Sequence, residues 1–330
     1  MEAAVYTGYG SAEVLRIQDV AKPSPGENEL LIRVRAASVN PLDWRLMRGR
    51  PYFARVLFGF GLRKQKFRPG RDVAGRVEAV GANVTAFKVG DDVFGLCNGA
   101  FAEYACAPEA RLALKPETVT FEQAASAPVA AVTALQGLRD KGRIAKGQRV
   151  LINGASGGVG TFAVQLAHIF GARVTGVCSA RNAAFVRALG AERTIDYARE
   201  DFAQGATKYD VIFDLAGNHS FPACKQVLTP QGIHVGGGIL DGPKSLTVMF
   251  GGLLLTLLQS QFSRQKFTTF VAKAKREDLT LIGELLASGQ LKAIIEKRYR
   301  LEGVADAMRY QATWRVRGKL VICMAEQGGI

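Results

Sequence analysis

Histidine is scarce in this chain. His168, His219 and His234 are the only three in 330 residues. His168 falls on a helical pattern, and the other two fall in or beside segments that read as strands and turns. A site built on several imidazoles is therefore not expected. Cysteine is equally thin. Cys97, Cys106, Cys178, Cys224 and Cys323 are scattered, odd in number, and never at C-x-x-C spacing. That pattern argues for free thiols in a reducing, cytoplasmic compartment. Long apolar runs are missing too. The most apolar run, residues 248–258, contains two glycines and spans only 11 residues, whereas a membrane-spanning helix needs about 20. It reads as a buried helix or an oligomer contact. The N-terminus, Met1-Glu2-Ala3-Ala4-Val5-Tyr6, shows no basic segment followed by an apolar stretch, so no signal peptide is expected. Acidic residues are outnumbered 29 to 43 by Lys and Arg, for a net charge of +14. The basic residues cluster at Arg63, Lys64, Lys66, Arg68 and Arg71, and again at Arg315, Arg317 and Lys319, without forming a run of five. Such a surface attracts anions, phosphorylated cofactors among them. It carries no DNA- or RNA-recognition motif, so no specific nucleic-acid partner is expected.

What is present is a change of texture along the chain. Residues 1–125 contain short Val- and Phe-rich runs near positions 30–35, 75–81, 84–88 and 89–95. Glycines and Asp pairs punctuate them at the spacing of turns in a small barrel. From about residue 126, strand-like segments alternate with helical ones: 149–153, 173–178, 194–196, 209–215 and 233–235 read as strands, and 182–189 reads as a helix. This alternation predicts βαβ units in a doubly wound parallel sheet. Near residue 290 the texture returns to strands, at 291–299 and 319–324. These are too few for a third domain, and the C-terminus is expected to complete the first.

The most informative segment is Asn153-Gly154-Ala155-Ser156-Gly157-Gly158-Val159-Gly160. It follows a buried strand and opens a helix on which Val159, Phe162, Ala163, Leu166, Ala167 and Phe170 recur at helical spacing. A glycine turn lets the backbone approach a pyrophosphate, and the helix N-terminus supplies free N–H groups and the positive end of its dipole. The three marked positions of the dinucleotide fingerprint fall on Ala155, Gly157 and Gly160, the first a small departure. At the end of the next strand, Cys178-Ser179-Ala180-Arg181 carries no acid for a ribose 2′-hydroxyl. Ser179 and Arg181 suit a 2′-phosphate instead, which favours NADPH. The alternative is that Arg181 only decorates a helix start, although a cation there opposes the helix dipole.

These motifs, with Ala37-Ser38-Val39-Asn40-Pro41-Leu42-Asp43, Gly70-Arg71-Asp72-Val73-Ala74-Gly75, Phe87-Lys88-Val89-Gly90-Asp91-Asp92-Val93, Pro128-Val129-Ala130-Ala131-Val132-Thr133-Ala134 and the ending Gly318-Lys319-Leu320-Val321-Ile322, resemble the medium-chain dehydrogenase/reductase superfamily. The resemblance is to its zinc-free quinone oxidoreductase (zeta-crystallin-like) branch and runs through nearly the whole chain. It implies an α/β protein with a GroES-like β-rich catalytic domain, residues 1–125 and 275–330, and an inserted Rossmann NADPH-binding domain, residues 126–274. It implies that Asn40 and Thr133 lie near the nicotinamide, that Tyr197 stands beside Ser179 and Arg181, and that Gly237 and Lys319 also reach the cofactor. Ala155, Ser156, Gly157, Gly158, Val159 and Gly160 hold the pyrophosphate. Tyr52 stands where relatives carry a substrate-facing tyrosine; it is a proton donor or an aromatic packing residue. A homodimer through the edge strand of the Rossmann sheet is common in the family.

In zinc-dependent relatives a Cys stands where Asn40 stands, and Gly-His-Glu where Gly70-Arg71-Asp72 stands, and the four-cysteine structural loop is missing here. Catalytic zinc needs about three ligands from Cys, His and carboxylates. Arg71 and Asp72 are free to pair with each other, and Asp43 reads as a structural hydrogen-bonding residue. Without a Lewis acid, quinones and α,β-unsaturated carbonyls are the expected small-molecule substrates, because they are already electrophilic. The alternatives are a metal-free alcohol or aldehyde dehydrogenase and a non-catalytic NADPH-binding protein. NADPH is expected to bind at least tenfold more tightly than NADH, a difference of ~1.4 kcal/mol. Arg181→Glu should weaken or invert that preference in a direct binding titration, and equal affinities in the unmodified chain would contradict it.

Overall fold

The structure is a computed structural model that describes residues 1–49, 67–237 and 264–325. The chain divides into two compact units. One comprises Met1–Val132 with Ala274–Ile330, the other Thr133–Lys273.

The first unit opens with β1 (Glu2–Val5) paired antiparallel to β2 (Arg16–Asp19). Next comes β3 (Glu29–Val39), long and largely buried. It ends at Asn40, where α1 (Pro41–Arg48) begins with proline in its first turn, a position that loses no hydrogen bond. Then follow β4 (Asp72–Val80), β5 (Asp92–Leu96), β6 (Tyr104–Pro108), β7 (Leu112–Leu114), α2 (Phe121–Ser126) and α3 (Pro128–Gln136). Thr120 caps α2 by accepting the Gln123 N–H at 3.2 Å. The boundary between the two units falls within α3.

The second unit contains β8 (Arg149–Asn153), α4 (Gly158–Ile169), β9 (Arg173–Cys178), α5 (Ala183–Ala188), β10 (Arg193–Asp196), β11 (Tyr209–Asp214), α6 (Phe221–Lys225), β12 (Leu228–Gly236) and β13 (Lys266–Thr269). The six strands form one sheet in the order β10-β9-β8-β11-β12-β13, with every neighbouring pair parallel. Strand order reverses at β8, so the carboxyl ends of β8 and β11 flank the topological switch point, where doubly wound sheets bind their ligands. The buried run Val150, Leu151, Ile152 in β8 is what a parallel strand covered on both faces requires.

The chain then returns to the first unit through α7 (Arg276–Ala287), β14 (Ile295–Arg300), α8 (Val304–Gln311) and β15 (Lys319–Cys323). The first unit's main sheet has the order β14-β15-β3-β4-β5-β7. One edge of β3 is shared: Glu29 to Arg33 pair with β6, and Ala36 to Val39 pair with β15, all antiparallel. The C-terminal strand thus completes the sheet begun by the N-terminal residues. Residues 84–88, read as strand-like in the sequence, are irregular, with a bend at Ala86. The helix expected over 182–189 is preceded by a 3-10 turn, Ala180–Asn182, which begins directly after Ser179. Among the described residues no helix is long and apolar enough to cross a membrane; residues 248–258 lie outside them.

Candidate functional site

The glycine turn after β8 is built for close approach. Gly154 has φ of +88°, a left-handed conformation that glycine adopts without strain. Its carbonyl accepts the Gly157 N–H at 3.2 Å. A Cβ on Gly160 would lie 2.1 Å from that same carbonyl oxygen, so the third fingerprint position admits no side chain. A Cβ on Gly157 would meet only the Gly154 oxygen, at 3.5 Å, which leaves that side of the turn open. Ala155 is fully buried; its N–H donates to the Val177 carbonyl at 3.0 Å, so the departure from glycine sits beneath the turn. The first helical bond of α4 is Thr161 N–H to Gly157 carbonyl, and no side chain caps the helix. The N–H groups of Gly158, Val159 and Gly160 therefore precede the helical ladder, as anion-binding helix N-termini require. The Ser156 hydroxyl accepts from Asn182 Nδ2 at 3.1 Å, tying this turn to the one after β9.

Two of the residues expected at the 2′-phosphate, Ser179 and Tyr197, follow adjacent strands. In the parallel β9–β10 ladder, Cys178 is opposite Asp196, so Ser179 and Tyr197 follow at the carboxyl ends of adjacent strands. The Tyr197 N–H donates to the Cys178 carbonyl at 3.3 Å, and its side chain is 64% exposed. Arg181 is exposed in the turn between them. Gly237, directly after β12, donates its N–H to the Asp214 carbonyl at 2.9 Å. A Cβ there would strike the Phe213 ring at 2.5 Å. At the switch point the sequence reading missed a brace: Asn153 Nδ2 donates to Asp214 Oδ1 at 2.8 Å and to Asn218 Oδ1 at 2.7 Å. Burial raises the Asp214 pKa, but the nearby His234 ring, 3.6 Å away, and hydrogen bonds from the Gly217 N–H and Asn153 outweigh it and hold the carboxyl below the usual range. Thr133, the first residue of this unit, is half-buried on α3.

In the first unit, Asn40 and Lys319 come together in a polar cluster that is almost wholly buried. Lys319 Nζ donates to Asn40 Oδ1 at 2.6 Å and to Asp72 Oδ2 at 3.3 Å. Asn40 Nδ2 donates to the same carboxylate oxygen at 2.9 Å, and the Ser38 hydroxyl at 2.5 Å. Asp72 Oδ1 accepts the Val129 N–H at 2.9 Å, which sets the carboxylate at the N-terminus of α3, where the helix dipole favours it. Asp72 has no exposed surface, and the Lys319 side chain only 3%. Asp43 lies beside the cluster and accepts the Asn40 N–H at 2.9 Å. Burial pushes its carboxyl up to about 7; the Asn40 N–H opposes that rise and the Asp72 charge adds to it.

Two sequence expectations are tested by this geometry. Asp43 does brace the backbone, as expected. Arg71 and Asp72 do not pair: consecutive residues of an extended chain point to opposite sides, and Asp72 turns inward to Lys319. The roles of Ser38 and Asp72 were not foreseen. Their one sequence signal is a charged residue opening a strand that is otherwise apolar over Val73 and Ala74. Among the described residues no group of three or more His, Cys, Asp or Glu side chains is placed to hold a metal ion. Tyr52 lies outside the described residues.

Comparison with known proteins agrees with both units. Residues 26–117 match the alcohol dehydrogenase GroES-like domain, and residues 189–322 match a family described as zinc-binding dehydrogenase. The chain is 33% identical to a 2-methylene-furan-3-one reductase of Solanum lycopersicum, over 98% of this chain and 79% of that one. It is 31% identical to an NADPH-dependent alkenal/one oxidoreductase of Arabidopsis thaliana, a chloroplastic protein, over 98% and 79%. The solved quinone oxidoreductase of Coxiella burnetii superposes with a TM-score of 0.85 at 30% identity, covering 98% of this chain and 99% of that one. The chain belongs to the medium-chain dehydrogenase/reductase superfamily, in its quinone oxidoreductase branch.

Removing one member of a buried ion pair strands the other. Asp72→Ala should therefore lower the unfolding free energy by about 3–5 kcal/mol, because it leaves a buried ammonium without its counter-ion. Denaturant unfolding measures this, and a loss below about 1 kcal/mol, the range of an exposed pair, would refute the assignment.

Proposed function

We propose that this chain binds NADPH and uses it, without zinc, to reduce quinones or α,β-unsaturated carbonyls. The open side of Gly157 and the uncapped N-terminus of α4 suit a pyrophosphate. Ser179, Arg181 and Tyr197 gather at neighbouring strand ends with one cation and two hydroxyls and no carboxylate among them, which suits a 2′-phosphate. The family resemblance offers Asn40, Thr133, Gly237 and Lys319 as further candidates for cofactor contact. When bound, NADPH supplies a hydride.

The observation that carries the zinc-independent reading is the position of Lys319. Its ammonium is hydrogen-bonded to Asn40, at the position where zinc-dependent relatives place a cysteine ligand, and to Asp72. A cation already fills that polar niche, and a second one of charge +2 would be repelled in a poorly screened interior. Asn40 offers an amide in place of a thiolate, and Arg71 stands in place of an imidazole. Carbonyl polarisation then rests on hydrogen-bond donors alone. A conjugated acceptor spreads incoming negative charge over an enolate or a hydroquinone, so it needs less of that help than a saturated ketone does. The proton that completes the reduction comes from water or from Tyr52. The five free thiols suit a reducing, cytoplasmic setting.

A spectrophotometric panel of NADPH oxidation tests this reading. Turnover with quinones, enals and enones should exceed that with saturated ketones by at least a hundredfold in kcat/KM, a gap of ~2.7 kcal/mol in transition-state stabilisation. Efficient reduction of simple ketones, with none of conjugated acceptors, would favour the metal-free alcohol dehydrogenase alternative.

A further inference from the structure

The two elements that deliver Asn40 and Lys319 also deliver the only two tryptophans of the chain. Trp44 lies on α1, one turn beyond Asn40, and Trp314 lies in the turn between α8 and β15, five residues before Lys319. Their rings meet edge to face, with centroids 6.0 Å apart and an interplanar angle of 86°. Each carries a guanidinium: Arg45 stands 5.3 Å from the Trp314 ring centroid, and Arg48 stands 4.9 Å from that of Trp44. The two rings are held differently. Trp44 packs against the hydrophobic core of the unit, whereas Trp314 is 52% exposed.

Trp314 is also held in a conformation that does not suit it. Its φ is +57°, and among the described residues only Arg143 shares a positive φ without being glycine. A bulky side chain in the left-handed region is strained, and glycine or asparagine is the usual occupant after a helix C-terminus. The surrounding turn is firmly pinned. One Glu296 carboxylate oxygen accepts the Tyr310 hydroxyl at 3.0 Å, and the other accepts the Arg317 N–H at 2.8 Å. An exposed indole gains little from burial, so neither packing nor backbone preference accounts for tryptophan at this position. Strained residues held by an over-determined scaffold are characteristic of ligand clamps.

We propose that Trp314 and Trp44, with the exposed Arg48, form a stacking subsite for a planar acceptor bearing an anionic group, of the sulfonated or carboxylated quinone class. The inference rests on the reductase reading above and specifies its substrate. A flat ring stacks on indole, and the ring quadrupole accepts cations on its faces. A guanidinium stacked on a ring keeps its N–H fork in its own plane, where it can take an anionic oxygen in bidentate fashion. The subsite selects for both properties together: a neutral ring forgoes the guanidinium, and a non-planar anion forgoes the indole.

Because the chain has only these two tryptophans, its indole fluorescence reports this place alone. Anthraquinone-2-sulfonate should quench the fluorescence of the cofactor-free full-length protein saturably, after inner-filter correction. Neutral 1,4-naphthoquinone should require at least tenfold higher concentration, and methanesulfonate should leave the signal unchanged. By calorimetry, Arg48→Gln should weaken the sulfonate at least fivefold and the neutral quinone less than twofold. Trp314→Gly should weaken the sulfonate at least tenfold while Tm stays level or rises, since glycine relieves the backbone strain. Quenching that does not saturate, or unchanged affinity in Trp314→Gly, would overturn the subsite, and a lowered Tm with unchanged affinity would mark Trp314 as a packing residue. Saturable quenching without any NADPH oxidation by quinones would leave the subsite standing and remove the reductase reading; oxidation without saturable quenching would do the reverse.

Discussion

The buried pair of Lys319 and Asp72 is the constraint on which the first unit depends. Two opposite charges with almost no exposed surface can persist only if every remaining lone pair and proton finds a partner, because desolvation would otherwise exceed their attraction. Here the partners come from four separate segments. The carboxylate opens β4, the ammonium opens β15, Ser38 and Asn40 close β3, and the Val129 N–H begins α3. Lys319 thereby joins the last described strand to Asp72, 247 positions earlier, and to Asn40, 279 positions earlier. It also sets the register in which β15 lies against β3, with Leu320 opposite Val39 and Val321 opposite Ser38.

The same pair shapes the chemistry. A niche that in zinc-dependent relatives holds a thiolate and a dication here holds an amide and an ammonium. The positive charge is retained, but it is fixed to the backbone, compensated by Asp72, and unable to accept a lone pair as a Lewis acid does. On the proposed reading, the chain has means to orient a cofactor and to donate hydrogen bonds, with little means to activate an unreactive carbonyl. The proposed aromatic and cationic subsite, on α1 and on the turn before β15, would complement that restriction, since acceptors that need no metal are the flat, conjugated ones.

Legibility in the sequence followed the range of the interactions. The glycine turn was readable because its requirements are local: a strand, glycines at defined offsets, and a helical periodicity that continues through Phe170. The parallel sheet was readable from alternation, and the return of the C-terminus from the shortage of strands after residue 290. The inward turn of Asp72 was not readable, because it follows from which strands pair and in what register, and adjacent Arg71 offered a nearer partner on paper. The Asn153–Asp214 brace escaped for the same reason: the residues are 61 positions apart and meet only because β8 and β11 are neighbours. Residues 84–88 had strand-like composition but form irregular chain between the turns at 82–83 and 89–90, where tertiary context overrides a weak β propensity. At Arg181 a 3-10 turn precedes α5, so the cation stands just before the helix N-cap, Asn182.

Whether a fixed ammonium truly takes the place of a metal is decided most directly by elemental analysis of the purified protein. Mass spectrometric metal quantification should find no stoichiometric zinc, and NADPH-dependent quinone reduction should be unchanged after exhaustive dialysis against a strong chelator. One tightly bound zinc per chain, with activity lost on its removal and restored on its return, would contradict the central claim that Lys319, held by Asn40 and Asp72, leaves no room for a catalytic metal.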